Sequence, residues 1–315
     1  MNGITGRTKR SAERAVKIRA IAERMGYRPN LAARAMNTRC TRLIGVVVRN
    51  PDTGLPSHPQ VGDYVNGIDV AVRAAGCATV LVDPGDREGL AMRERVVDGV
   101  ILVSQFGIGW VEVVSKAFPV RLWLDGRSTD GAPALLRDER GGVASLMALL
   151  AKECRPARFV FLAPLGGEDA HYSEAERLAA VRRGAGRLSA PMIVERHSAG
   201  IRTGDWITSC LERHGRGTCF IAYNIQQAEI LGHAALARGW CVPRDIALVC
   251  CDGHGLAGYT WPQLTHVRFD AAQAGAKAVQ MLMGIIDGST PSEPISRYPL
   301  VLKTGDSHRM SQEPA

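Results

Sequence analysis

Single polar residues end several apolar runs in this 315-residue sequence, and their types and positions are suited to binding a ligand. They provide carboxylate, hydroxyl and amide groups: Asp83, Ser104, Asp125, Asn224 and Asp252. In open α/β sheets, ligands bind outside the carboxyl ends of the strands, which is where such residues lie. The pattern therefore predicts a ligand site along one edge of a sheet.

Motifs for catalysis or for a nucleotide cofactor are weak by comparison. The segment GHGLAG at 253–258 follows an apolar run and matches a dinucleotide fingerprint, which requires a helix to begin at its last glycine. Here the chain continues into YTWPQLTHVRF, which contains Pro262 and strand-forming residues. The eight histidines are scattered, and no nucleophile, base and orienting group come together. We expect neither an enzyme nor a bound cofactor or metal.

The composition is that of a globular protein, with 46% hydrophobic and 22% charged residues. No apolar run reaches the roughly 18 residues of a membrane span, and the N-terminus lacks the apolar core of a secretory signal. The eight cysteines contain no C-x-x-C pair, which favours reduced, buried thiols. We therefore expect a cytoplasmic protein that does not contact a membrane.

Positive charge is concentrated at the start of the chain. Residues 1–42 contain 11 Lys or Arg against two acidic residues, whereas the remaining 273 residues carry a formal charge of −1. A localised basic region suits a polyanion, with nucleic acid the first candidate and an anionic membrane surface the second. The alternative is a basic tail that serves only solubility.

The elements that must position the polar residues begin at residue 43. Short β-rich runs cover 43–48, 78–83, 99–104, 120–125, 158–163, 191–197, 219–224 and 246–252. Helical patterns cover 61–75, 88–97, 140–153, 173–187, 205–214, 225–238 and 270–286. Apolar strands that alternate with helices predict parallel sheets in an α/β fold. The pattern leaves open whether the sheets form one barrel or two doubly wound lobes.

Successive motifs resemble those of the LacI/GalR family of bacterial transcription regulators, in order and at similar spacing. They are GYRPNLAARAM followed by RLIGVVV, then VDGVILVS, PVRLWLD, RLAAVRRGAG, IAYN, ARGWCVPRDIALVCCD, PQLTHVRFD and AGAKAVQMLMGIIDG. The resemblance implies two doubly wound, parallel-sheet lobes of periplasmic-binding-protein-like type around an effector cleft. It places a partial DNA-binding head and hinge helix at 1–42 and the effector-binding and dimerisation domain at 43–315. Within that domain, the N-lobe would comprise about 43–139 with 269–294, and the C-lobe about 140–268 with 295–305.

The same resemblance assigns effector-binding roles to individual residues. Asp125, Asn224 and Asp252 match family positions at strand ends, and Arg177 matches an arginine whose planar fork suits a carboxylate or vicinal hydroxyls. Trp206 falls where some members place an aromatic side chain against the ligand. The family's aromatic NPFF segment is HPQV here, which makes His58 and Gln60 weaker candidates for specificity. A strand-end residue that only caps a helix, or a tryptophan in a core, is the ordinary alternative.

The basic start of the chain departs most from the family. A helix ended by Gly26 and a short helix opened by Pro29 match the third helix and the hinge helix. The family's helix-turn-helix of about 20 residues is expected to be missing from this sequence, so that minor-groove contact remains. Met36 would act as the wedge at a base step, and the other contacts would come from the surrounding residues. These are Tyr27, Arg28, Asn30, Ala33 and Arg34.

The sequence thus predicts a cytoplasmic, homodimeric repressor of LacI type whose affinity for operator DNA is controlled by a small polar effector, such as a sugar. The alternative is a cytoplasmic protein that binds a sugar or another metabolite without binding specific DNA.

Overall fold

The computed structural model describes residues 9–26, 40–48, 60–86, 92, 96–104, 108–166, 170–253, 255–260, 262–289 and 291–310. The residues expected to contact DNA, at 27–36, and His58 lie outside these ranges. Among the described residues, no helix is both long and apolar enough to cross a membrane.

The described residues form two sheets, with helices around them. The helices are α1 (Lys9–Arg24), α2 (Gln60–Ala74), α3 (Ile108–Ala117), α4 (Glu139–Glu153), α5 (Tyr172–Ala185), α6 (Thr203–His214), α7 (Ile225–Leu236) and α8 (Ala271–Ile286). The strands are β1 (Leu43–Val47), β2 (Ala78–Leu81), β3 (Gly99–Val103), β4 (Arg121–Leu124), β5 (Ala134–Arg137), β6 (Arg158–Ala163), β7 (Met192–Arg196), β8 (Thr218–Ala222), β9 (Ile246–Cys250), β10 (Thr265–Arg268), β11 (Ile295–Tyr298) and β12 (Val301–Lys303).

The N-lobe contains a six-stranded sheet in the order β11-β5-β4-β3-β1-β2, with every neighbouring pair parallel. Its inner strands β1 and β3 are apolar and almost fully buried, as expected when helices cover both faces of a parallel sheet. On one face, α2 and α8 meet closely because Gly67 lies in α2. A Cβ atom there would come within 2.0 Å of the Ala272 carbonyl oxygen. The apolar core of this lobe is therefore built around a glycine contact between two helices.

The C-lobe repeats the same strand order, as β12-β10-β9-β8-β6-β7, with only β12 antiparallel to its neighbour. Apolar residues from both sides of the sheet form its two cores. The fold class predicted from the sequence is thereby confirmed as two doubly wound α/β lobes.

The chain passes between the lobes at three places, and one of them differs from the prediction. The crossings lie between β5 and α4, between β10 and α8, and between β11 and β12. The expected boundary near residue 294 placed residues 295–305 in the C-lobe. Instead β11 pairs in parallel with β5, from Ile295 opposite Ala134 to Tyr298 opposite Arg137. The strand therefore belongs to the N-lobe, and the crossing falls after Tyr298.

Candidate functional site

The carboxyl ends of the strands from both lobes face each other, and charged side chains fill the space between them. We call five of these residues the interlobe cluster: Asp125, Arg137, Glu139, Arg177 and Asp252. All five are buried, with exposed fractions between 0% and 6%. Buried charges require partners, so the contacts of each member define what the site can do.

Asp125 follows β4 in a backbone conformation that few residues other than glycine adopt. Its φ is 57°, and Ser104, which follows the neighbouring strand β3, has a φ of 75°. Gly126 leaves no room for a side chain, because a Cβ atom there would lie 2.1 Å from the Ser104 carbonyl oxygen. The strained turn aims the Asp125 carboxylate towards the C-lobe.

Arg137 ends β5 and joins the two lobes through its guanidinium group. Its Nε donates to Asp125 Oδ1 at 2.9 Å and lies 3.1 Å from Glu139 Oε1. Its Nη1 donates to Asp252 Oδ2 at 2.7 Å. The carbon at the centre of the guanidinium lies 5.2 Å from the centroid of the Phe269 ring, within range of a cation–π contact. One side chain of the N-lobe therefore bridges carboxylates of both lobes.

Arg177, in α5, is held entirely by residues that follow the first crossing. Its Nε and Nη2 form a bidentate pair with Glu139, each at 2.7 Å. Its Nη1 donates to the Tyr223 carbonyl oxygen at 2.8 Å, and Nη2 also donates to Asp252 Oδ2 at 3.0 Å. The guanidinium lies 4.5 Å from the Tyr223 ring centroid. Asp252 Oδ2 thus accepts from both arginines.

The charges in the cluster stabilise one another. Burial opposes the charged form of Arg137, but Asp125, Glu139 and Asp252 raise its pKa well above its ordinary value. Burial acts on Arg177 in the same way, and Glu139 is foremost in raising its pKa. Burial alone would raise the pKa of Asp125, yet the Arg137 charge holds it below the usual range. Three carboxylates and two guanidinium groups leave the cluster with a formal charge of −1.

The start of α5 brings two further C-lobe side chains onto Asp125. The Tyr172 hydroxyl donates to Asp125 Oδ1 at 2.8 Å and accepts from the Arg137 amide, also at 2.8 Å. His171 Nε2 lies 2.7 Å from the Asp125 carbonyl oxygen. Burial, and then the Arg137 charge, lower the pKa of His171, which fits a neutral ring that donates from Nε2. Three hydrogen bonds from C-lobe side chains therefore reach Asp125 or Arg137, which lies on the adjacent strand β5.

A second arginine links the lobes one strand away. Arg297, in β11, forms a bidentate pair with Glu176 of α5 at 2.7 and 2.9 Å. Its Nη1 also donates to the Arg137 carbonyl oxygen at 3.1 Å. The adjacent strands β5 and β11 thus each carry an arginine that pairs with a carboxylate of the C-lobe.

Two buried oxygens on α2 lack a hydrogen-bond partner within the described part of the chain. They are Gln60 Oε1 and the Tyr64 hydroxyl, which lie one helical turn apart on residues that are 6% and 1% exposed. Burial and the nearby Asp125 charge raise the pKa of Tyr64 well above its ordinary value. Because native proteins rarely bury such groups unpaired, these oxygens are candidates for ligand contact.

The structure gives the other predicted effector residues local roles. The Asn224 side chain caps α7 by accepting from the Gln227 amide at 3.0 Å. Trp206 is 5% exposed in a C-lobe core, and its ring lies 4.9 Å from that of His197. Asp125, Arg177 and Asp252 meet in the cluster, whereas Asn224 caps a helix and Trp206 packs in a core.

Residues 40–42, which precede β1, are held to the N-lobe by one carboxylate. Asp98 accepts from the Thr41 and Arg42 amides, each at 2.7 Å, and from Cys40 Sγ at 3.1 Å. The amide hydrogen bonds help to hold the pKa of Asp98 below its ordinary value despite partial burial. Residues 40–42 are therefore fixed at the amino end of the N-lobe sheet, where Asp98 precedes β3.

Sequence reasoning missed the residue that joins the lobes. The run ALLR at 134–137 is a fully buried strand of four residues with a charged residue at its carboxyl end, like the strand that precedes Asp125. Asp138, directly after it, caps α4 by accepting from the Gly141 amide. A short apolar run followed by a helix cap was the available signal for Arg137 and Glu139.

Comparisons with known proteins agree with this architecture. The model of the family described as a periplasmic-binding-protein-like domain matches residues 147–308, about half of the chain. Catabolite control protein A of Priestia megaterium is 24% identical over 299 residues, which cover 90% of this chain and 86% of that protein. The ribose operon repressor of Bacillus subtilis (strain 168) is 26% identical over 302 residues, or 91% of this chain and 87% of the repressor.

A solved structure shares the fold at lower identity. A LacI family transcriptional regulator from Bifidobacterium animalis subsp. lactis DSM 10140 superposes with a TM-score of 0.68 at 19% identity. The match covers 86% of this chain and 99% of that one.

Proposed function

The chain belongs to the LacI/GalR family of transcription regulators, which have periplasmic-binding-protein-like domains, and on that premise we propose that it binds operator DNA under the control of a small polar effector. The effector would bind in the cleft between the lobes, and the chain would act in the cytoplasm as a homodimer. The ribose operon repressor among its relatives supports a sugar or a similar metabolite as the effector.

The observation that carries this proposal is the meeting of strand ends from both lobes at the interlobe cluster. Asp125 and Asp252 come from different lobes, and a single guanidinium spans them at 2.9 and 2.7 Å. A molecule that bound both carboxylates would favour the closed arrangement of the lobes, because the two carboxylates can contact one small molecule only when the lobes are close together. Asn224, Trp206, Gln60 and His58 are proposed as further contacts of the effector.

The proposed route from the cleft to DNA runs through the Asp98 anchor. The clamped residues Cys40–Arg42 lead back towards residues 27–36, so a movement of the N-lobe would move the start of the chain. Met36 would be the minor-groove wedge, and basic and polar side chains near it would contact the DNA. The proposed contacts are Tyr27, Arg28, Asn30, Ala33 and Arg34. By linkage, DNA and effector would change each other's affinity by the same factor.

Selection of DNA from a random pool, followed by anisotropy titrations at several salt concentrations, tests the DNA-binding part. We expect Arg34→Ala to weaken binding and to reduce the salt slope by about 1. The control is Arg202→Ala, which removes an exposed arginine of the C-lobe and should leave binding unchanged. Equal effects of the two variants would contradict the proposed contact, and an effector-binding protein without selected DNA would support the alternative of a metabolite sensor.

Thermal-shift and calorimetric titrations with sugars and related metabolites test the cleft. Asp252→Ala should abolish binding of a ligand found in this way, because it removes the C-lobe carboxylate of the cluster. Glu229→Ala provides the control, since it changes a half-buried carboxylate on the outer helix α7. If both variants bind the ligand as well as the parent does, the cleft is not the site.

A further inference from the structure

The carboxylates proposed to bind the effector already hold a ligand that belongs to the chain itself. Arg137 donates to Asp125 on one side and to Asp252 on the other, and it is 4% exposed. The Phe269 ring covers the guanidinium at 5.2 Å. Carboxylates at two ends and an aromatic face form the kind of environment that a protein builds around a bound cation.

We propose that Arg137 is an internal ligand of the cleft, which closes the two lobes and which an effector must displace. This inference rests on the proposal that the cleft is the effector site. It assigns Arg137 as the residue that an effector must outcompete for Asp125 and Asp252, so the effector must offer at least two hydrogen-bond donors, as the hydroxyls of a sugar do.

Arg137 is the group that can leave because its contacts depend on closure. Its contact with Asp252 crosses the lobes, and so does the hydrogen bond from its amide to Tyr172. Arg177 differs, since Glu139 and Tyr223 hold it within one side of the cleft. Separation of the lobes therefore removes partners from Arg137 and none from Arg177.

The charge of the cluster determines what a displaced Arg137 leaves behind. With Arg137 in place, the five groups carry a formal charge of −1, and without it they carry −2 in a buried space. An effector that displaces Arg137 must offset that additional negative charge with hydrogen bonds to both carboxylates, because an uncompensated buried charge is costly. The free cation methylguanidinium would restore both the charge and the hydrogen bonds that Arg137 provides, which makes it a probe of the vacated site.

Replacement of the side chain by a free molecule of the same chemistry tests the proposal. Arg137→Ala should show a higher Tm in millimolar methylguanidinium than in buffer, by about 2 °C or more. Methylurea has the same shape without the charge and should have no effect. The parent should respond to neither compound, because its site is filled.

Arg121→Ala is the matched control, since Arg121 pairs with Asp130 inside the N-lobe at 2.7 Å and does not touch the cleft. In small-angle scattering, which measures the separation of the lobes, the radius of gyration of this control should equal that of the parent. An unchanged Tm of Arg137→Ala in methylguanidinium would overturn the internal-ligand proposal. An equal rise with methylurea would also overturn it, because the vacated site would then not require the charge that Arg137 provides.

A second variant keeps the test decisive if Arg137→Ala does not fold. Arg137→Met with Asp125→Asn removes one charge of each sign, so the cluster keeps its formal charge of −1. We expect this variant to fold and to show a larger radius of gyration than the parent, because the lobes have lost the bridge through Arg137. A radius equal to that of the parent would contradict the proposal. None of these measurements uses DNA, so a chain that fails to bind an operator can still pass them.

Discussion

Arg137 and Arg177 both donate to Asp252 Oδ2, yet they belong to two halves of the cleft that are built differently. The C-lobe half is self-contained, because Arg177 has a bidentate partner, a carbonyl acceptor and an aromatic face on its own side. The N-lobe half, which consists of Asp125 and Arg137, completes its contacts only with C-lobe groups, namely Asp252, Tyr172 and His171. The contacts of Arg177 therefore do not depend on the position of the N-lobe, whereas several contacts of Arg137 do. On the proposed function, the first half would bind the effector and the second half would respond to lobe closure.

The largest expected effect is on the self-contained half. Arg177→Ala leaves Glu139 buried with much of its compensation removed, which should lower the free energy of unfolding by about 3–5 kcal/mol. Arg182→Ala, an exposed arginine on the same helix, should change it by less than about 0.5 kcal/mol. Urea unfolding measures both. A loss below about 1 kcal/mol for Arg177→Ala would mean that the C-lobe half is not held as described.

The N-lobe half should be less costly to disturb and should respond to pH. Asp125→Asn keeps the shape but weakens charged hydrogen bonds, and should lower the free energy of unfolding by about 1.5–3 kcal/mol near neutral pH. Because the folded pKa of Asp125 is depressed, its contribution is present above the unfolded pKa of about 3.9 and is lost as the pH falls through the folded value.

The difference in unfolding free energy between parent and Asp125→Asn should therefore shrink as the pH falls below about 4. Unfolding by urea over a pH series measures that difference, with Asp205→Asn as an exposed carboxylate control. A difference that does not change with pH would contradict the role given to the Asp125 charge.

The Asp98 anchor should matter more for coupling than for stability. Asp98→Asn weakens the hydrogen bonds to Thr41 and Arg42, and we expect a loss of about 0.5–1.5 kcal/mol from this half-exposed site. Proteolytic cleavage before residue 43 should become faster, whereas ligand affinity in the cleft should stay unchanged. If cleavage is as slow as in the parent, the N-lobe does not hold this segment through Asp98.

The smallest effect is expected at Tyr64. Its buried hydroxyl lies near the Asp125 carboxylate but forms no hydrogen bond of normal geometry among the described residues, so Tyr64→Phe should change the free energy of unfolding by less than about 1 kcal/mol. A cleft ligand that uses the hydroxyl should bind more weakly to this variant in calorimetry. A stability loss above about 1 kcal/mol would show that the hydroxyl is satisfied in the folded chain.

Much of the fold could be predicted from the sequence because long segments with a regular hydrophobic period are easy to recognise. The eight predicted strands lie within two residues of the predicted bounds, and so do six of the seven helices predicted after residue 43. The seventh, at 88–97, lies largely outside the described residues. Sequence reasoning missed the helix α3 and the short strands β5, β11 and β12, and it noted only strand-forming residues where β10 lies. Strands of three or four residues are too short to reveal a period, and pairing with neighbouring strands stabilises them.

The location of the interlobe cluster was predictable from the sequence, whereas the hydrogen bonds within it were less so. Strand-end polar residues pointed to Asp125 and Asp252, since the carboxyl ends of parallel strands share one edge. Two contacts depend on how distant elements of the chain pack together. Arg177 forms its bidentate pair with Glu139, and Arg137 reaches the cluster from the end of a four-residue strand. No local pattern encodes a contact between residues 115 positions apart, such as Arg137 and Asp252.

Hydrogen exchange of the double variant Arg137→Met with Asp125→Asn, compared with the parent, tests the central contrast most directly. The two halves should respond unequally, because only the N-lobe half depends on closure. We predict faster exchange in peptides that cover residues 121–137 and 170–173, and unchanged exchange in those that cover 218–224 and 246–252. Equal acceleration in all four peptides, or none in any of them, would contradict the account.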